Sequence, residues 1–259
     1  MSPRPKIVVI ANQKGGVGKT TTAVNLAASV AAAEKRTLLI DADPQGNASS
    51  GVGILPRSVQ RSLYEALIGK ATLADVIVKT DIATLDVIPA TQDLAGAEIE
   101  FVDLPDRVER LRKALSVLTT GKDGYDYVFI DCPPSLGLLT LNALVASDRV
   151  IVPLQCEYYA LEGLTHLMAT IDRVKANYNA GLAVEGIVLT MFDPRNNLSH
   201  EVAGEVRRHF HVFEAIIPRN VRLSEAPSHG KPVLLYDAQS KGAQGYLSLA
   251  REVIEASSQ

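Results

Sequence analysis

The stretch "ANQKGGVGKTTTAVNL", residues 11–26, joins a β-branched run, "KIVVIA" (6–11), to an alanine-rich run, "TTAVNLAASVAAAE" (21–34). The first reads as a buried strand and the second as a helix, so Gly15, Gly16 and Gly18 fall in a tight turn between them. Glycines there let backbone N–H groups turn inward, and the helix start adds its positive dipole end. The loop predicts a phosphate cradle made by Gly15, Gly16, Val17, Gly18, Lys19, Thr20 and Thr21. In it Lys19 reaches the terminal phosphates of a nucleotide and the Thr20 hydroxyl ligates Mg²⁺. Lys14, on the early side of the glycines, is one cation more than such a cradle needs.

The same alternation continues outward. Apolar runs recur at "RTLLID" (36–41), "LDVIPA" (85–90), "YVFID" (127–131), "RVIVPL" (149–154), "EGIVLTMF" (185–192) and "EAIIP" (214–218). Helical spacing returns between and after them in "RVERLRKALSVL" (107–118), "EGLTHLMATIDRVKANY" (162–178) and "AQGYLSLAREVIEA" (243–256). Unbroken apolar strands alternating with helices imply a mainly parallel sheet covered on both faces, a doubly wound α/β fold. Residues 51–84 carry a weak pattern and read as short helices on the surface. The 259 residues are expected to form one domain.

Composition removes several function classes. The chain has a formal charge of −3, no tryptophan and few aromatic residues, which speaks against a basic nucleic-acid domain or a base-stacking surface. No apolar run approaches a membrane span, and the first strand begins too early for a signal peptide. A cytoplasmic protein is expected. Cys132 and Cys156 form no CxxC pair and read as reduced thiols.

Two aspartate segments complete the predicted site. "LLIDADPQGN" ends the second strand with Asp41 and Asp43, and "YVFIDCPPS" ends a later one with Asp131. Parallel sheets place ligands at the carboxyl ends of their strands. Acidic groups there can hold the water shell of a magnesium nucleotide, so the three aspartates and the loop predict nucleoside triphosphate hydrolysis.

The segments "KGGVGKTTT", "DADPQGN", "IDCPPSLG", "LTMFDPRNNLS" and "IPRNVRLSEAPSHGKPV" together resemble the ParA/Soj family of deviant-Walker partition ATPases, and they run from residue 14 to residue 233. The resemblance implies a P-loop NTPase fold with ATP and Mg²⁺ as cofactors. It implies that Lys14 crosses an ATP-dependent homodimer interface to the nucleotide of the other subunit, and that Asp43 positions the attacking water. Asp131 would hold Mg²⁺ through water with Asp41 in support, and Pro218 to Asn220, with Pro218 and Asn220 as the contacts, would meet the base. Arg195 and Arg222 would grip double-stranded DNA without reading its sequence. Residues 195–231 hold six Lys/Arg against four Glu, a mild local surplus in an acidic chain. A ParB-like centromere-binding protein is the implied partner, and a nucleoid-associated protein the implied location.

Three neighbouring readings fit less well. A membrane-positioning ATPase related to MinD needs a basic amphipathic C-terminal helix, whereas "LAREVIEASSQ" offers one arginine against two glutamates. A cluster-carrying protein such as nitrogenase iron protein needs two cysteines per subunit, and the chain has two. However, Cys132 adjoins the aspartate in "DCPP" and Cys156 sits in "LQCEYY" without glycine-rich flanks, so both read as buried small hydrophobes. A plasmid partition protein with its own sequence-reading domain needs more than the five residues that precede the first strand, so the short form is expected.

Overall fold

The computed structural model describes residues 4–118, 124–157 and 159–257. Its centre is one sheet of eight strands: β1 (Lys6–Ile10), β2 (Thr37–Asp41), β3 (Val78–Lys79), β4 (Leu85–Ile88), β5 (Tyr127–Asp131), β6 (Arg149–Gln155), β7 (Ala183–Phe192) and β8 (Val212–Pro218). The spatial order is β3-β4-β2-β5-β1-β6-β7-β8. Every pairing is parallel except β3 with β4.

Alternating side chains separate the two cores. Ile7, Val9, Leu38, Ile40, Val128 and Ile130 face one side, under the helices Arg110–Leu118, Leu138–Ala146 and Ala160–Asn177. Val8, Ile10, Leu39 and Phe129 face the other, under the helices Lys19–Ala32 and Lys241–Ala256. Both faces are buried, which is why β2 and β5 read as continuous apolar runs. Phe129 is fully buried, and full burial of such a side chain stabilises by about 1.5–3 kcal/mol.

The helix Lys19–Ala32 is rich in alanine because it lies between sheet and neighbouring helix with little room for larger groups. The C-terminal helix presses equally close: a Cβ on Gly245 would stand 3.0 Å from the Ile216 carbonyl oxygen of β8. The buried Thr22 and Tyr246 hydroxyls bond across the two helices at 3.1 Å. The apolar face of the C-terminal helix, formed by Ala243, Tyr246, Leu249 and Val253, is buried in this packing. Among the described residues no helix is long and apolar enough to cross a membrane.

One sequence expectation is corrected. Residues 51–84 are not only surface helices: Leu63, Ala66, Leu67, Leu73 and Val76 are buried in the larger core. Val78–Lys79 forms a strand antiparallel to β4. Two residues are too few to show an alternation, so the chain carries no readable signal for this edge.

Chain order reverses beside β1, whose neighbours are β5 and β6. That is the crevice where open α/β sheets hold ligands. The register sets Ile10, Asp41 and Asp131 side by side at the ends of β1, β2 and β5.

Candidate active site

The glycine loop leaves β1 and enters the first helix through two left-handed residues, Gly16 at φ 75° and Gly18 at φ 85°. A side chain at either would be strained. Gly18 is also the N-cap and has no capping side chain, so the first N–H groups of the helix stay available to an anion. Three hydrogen bonds fix the loop from outside. Asn12 accepts from the Lys14 N–H at 3.0 Å and donates to the Pro153 carbonyl at 2.8 Å. The Thr190 hydroxyl of β7 donates to the Val17 carbonyl at 2.8 Å.

The two lysines of the loop have opposite fates. Lys19 is buried and its ammonium donates to the Lys14 carbonyl at 2.8 Å, folding over the cradle. Burial lowers its pKa, opposed by the nearby carboxylates of Asp131 and Asp43. Lys14 turns away and ion-pairs with Glu157, in the link after β6. Gly15 and Gly16 are exposed, while Thr20 and Thr21 are half-buried at the helix start.

The aspartates also divide. Asp41 is fully engaged: it accepts from the Ser49 N–H (2.8 Å), the Ser49 hydroxyl (2.7 Å) and the Asp43 N–H (3.2 Å). Burial nevertheless raises its pKa to about 6. Its donors lie in the turn after β2 and in the short helix Asn47–Gly51 that follows, so Asp41 ties the two together and with them Asp43. Asp43 is buried and accepts from the Gln45 N–H at 3.0 Å. Asp131 is different: both carboxylate oxygens are buried without a hydrogen-bond partner of normal geometry. Burial raises its pKa, the Asp41 charge adds to this, and the facing Thr20 hydroxyl opposes it. An orphaned carboxylate beside a hydroxyl is an oxygen pair that fits a hard divalent cation.

An unpaired buried carboxylate costs stability when ionised, which gives a pH-dependent prediction. Since the folded pKa of Asp131 is raised, the penalty is absent below the unfolded value and grows as pH rises through the folded one. Asp131→Asn is expected to raise the Tm of the nucleotide-free protein at pH 8, by about 2–4 °C per kcal/mol relieved. The gain should shrink as pH falls towards 5; thermal melts at the two pH values check it, and an equal or larger gain at pH 5 contradicts it.

A protein-family model described as an AAA domain matches residues 5–184. The chromosome partitioning protein ParA of Myxococcus xanthus is 58% identical over 252 residues, covering 96% of this chain and 88% of that protein. The chain belongs to the ParA/Soj family of chromosome-partitioning ATPases. The sporulation initiation inhibitor protein Soj of Bacillus subtilis is 56% identical, covering 96% of this chain and 98% of its own. Among solved structures, a cobyrinic acid a,c-diamide synthase from Mycobacterium smegmatis with bound ADP and magnesium superposes with a TM-score of 0.85. It is 35% identical, covering 98% of this chain and 96% of its own. The fold, the ATPase class and the ParA/Soj resemblance expected from sequence thus hold.

The remaining residues that the ParA/Soj resemblance points to lie where β7 and β8 end. Arg195 is 89% exposed and grips Asp193 through two nitrogens, at 3.0 and 2.9 Å. Arg222 pairs with Glu225 at 2.8 Å and Asp237 at 3.2 Å. Arg219 acts on Asp193 as well, bringing a second cation near Arg195. Pro218 ends β8, and the Asn220 side chain caps the short helix Val221–Glu225 by accepting from the Arg222 N–H at 2.9 Å. The cysteines are buried in the core: burial pushes the Cys156 thiol up to about 11 and Cys132 higher, so both pack as neutral thiols.

Sequence reading passed over Asn12, Ser49, Glu157 and Thr190. Asn12 stands in the opening stretch and Ser49 shortly after Asp41, where a polar residue among turn signals is unremarkable. Glu157 and Thr190 meet the loop from more than 140 residues away, and no local pattern announces that.

Proposed function

We propose that this ParA/Soj chain is an ATP-dependent DNA-segregation switch, acting as one domain in the cytoplasm and on the nucleoid. The observation that carries the reading is the division of the loop lysines. Lys19 folds over its own cradle, while Lys14 turns out to a partly exposed face. One lysine serves the protomer's own ATP and the other a neighbour's, so two protomers close as a homodimer around two nucleotides.

Within each site the cradle N–H groups and Lys19 bind and orient the phosphates. Thr20 and Asp131 would hold Mg²⁺, which when bound neutralises charge between the phosphates, and Asp41 serves by fixing the turn. Asp43, held by that turn, orients a water for attack, and Lys14 from the other protomer stabilises charge as an arginine finger does. Pro218 and the Asn220 amide border the base. ATP binding favours the dimer by mass action, which doubles a weak DNA-gripping surface. A ParB-like, centromere-bound partner then stimulates hydrolysis and releases the dimer.

Arg195 and Arg222 hold their guanidinium groups near the surface through neighbouring carboxylates, with Arg219 close to Asp193. DNA phosphates would share or replace these carboxylates, a salt-sensitive exchange. Arg222→Glu is expected to weaken binding to random-sequence duplex in ATP by at least about 10-fold at moderate salt. The salt slope should fall by about one for each phosphate that the arginine no longer neutralises. ATP-driven dimerisation should be unchanged; fluorescence anisotropy beside sizing measures both, and undiminished DNA affinity contradicts the DNA site.

A further inference from the structure

Lys14 ion-pairs with Glu157 of its own chain, and the two side chains are 36% and 47% exposed. Backbone bonds hold the acidic partner in place: the Glu157 N–H donates to the Gln155 carbonyl and the Ala160 N–H donates to the Glu157 carbonyl, each at 2.9 Å. The basic partner is anchored to the same strand end, because Asn12 ties the Lys14 N–H to the Pro153 carbonyl of β6. The pair therefore closes a short bridge between the phosphate loop and β6. Beside it lies a cleft of about 280 Å³ whose rim includes Gln13, Lys14, Gln155, Tyr159, Glu162 and His166. Among the described residues, Lys14 is the only lysine or arginine on that rim.

We propose that Glu157 is a positioning residue that parks Lys14 in cis and yields it to the terminal phosphate of a second protomer's ATP. The inference rests on the in-trans role given to Lys14 above. A half-exposed ion pair is weak, so it can be exchanged for a more highly charged partner. A terminal phosphate carries more charge than one carboxylate and accepts from an ammonium through several oxygens. ADP lacks that phosphate, so in ADP the pair has no competitor and Lys14 stays parked. Until exchange, the Glu157 carboxylate also places negative charge on the face that must receive a polyanion. Glu157 thereby raises the threshold for dimerisation and sharpens the distinction between ATP and ADP.

The test compares wild type, Glu157→Gln, Glu157→Asp and Lys14→Gln by sedimentation velocity across protein concentration, with a slowly hydrolysed ATP analogue and Mg²⁺. Two bridges break per dimer, so Glu157→Gln is expected to lower the dimerisation midpoint by about 2- to 30-fold. Glu157→Asp keeps the charge and should stay closer to wild type. A fluorescent ATP analogue should bind monomeric Glu157→Gln with wild-type affinity, separating release of Lys14 from damage to the cradle. A midpoint that is unchanged or higher in Glu157→Gln overturns the inference. If instead Lys14→Gln dimerises like wild type, the in-trans reading itself fails, and the parked lysine with it.

Discussion

Lys19→Ala is expected to lower ATP affinity by about 30- to 5,000-fold, the loss that follows truncation of one member of a buried, hydrogen-bonded charge pair. The lysine is buried over the cradle, where a phosphate oxygen can replace the Lys14 carbonyl as acceptor. Its removal also exposes the bound polyanion to Asp131 and Asp43, whose charges now act on Lys19. Binding therefore loses an attraction and gains a repulsion. Isothermal titration calorimetry measures the change directly. An affinity within about threefold of wild type, in a variant with an unchanged melting temperature, would refute this role for the buried lysine.

Asp43→Ala is expected to reduce ATP hydrolysis by about 10²- to 10⁴-fold, the range for loss of a positioned acid–base group, while changing ATP affinity only severalfold. The asymmetry follows from how the turn is held. Asp41 takes its bonds from the backbone of Asp43 and from Ser49, and the Gly46 N–H donates to the Asp43 carbonyl at 2.9 Å. None of these needs the Asp43 carboxylate. The substitution removes the bond from the Gln45 N–H and the group that would orient water, leaving the cradle and Lys19 intact. The variant should therefore accumulate as an ATP-bound dimer. Single-turnover hydrolysis and nucleotide binding separate the two effects, and parallel loss of both would assign Asp43 to binding.

How much of this was legible in the chain depended on distance along it. The strand, loop and helix around Gly15 to Lys19 are contiguous, and the strand-end aspartates follow apolar runs, so the cradle and its carboxylates could be read locally. What those carboxylates do could not. Asp41 and Asp131 look alike in sequence, yet Asp41 is saturated by its own turn and Asp131 is orphaned. That difference arises from the Asp43–Ser49 turn, which folds back on β2 and not on β5. Arg222 with Glu225 has the spacing of a helical ion pair, but Asp237 joins it only through the fold. Glu157 is the extreme case: 143 residues from Lys14, it meets the loop because β6 lies beside β1. Short edge structure such as β3 left no trace because it depends on pairing with β4 alone.

The proposed mechanism turns on ATP, and not ADP, joining two protomers into a form that would hold DNA. Sedimentation velocity of Asp43→Ala with a fluorescent random-sequence duplex, in ATP with Mg²⁺ and again in ADP, reads that dependence without interference from hydrolysis. A two-protomer species moving with the duplex is expected in ATP, and free duplex beside monomeric protein in ADP. Equal DNA binding by monomers in both nucleotides would overturn the switch.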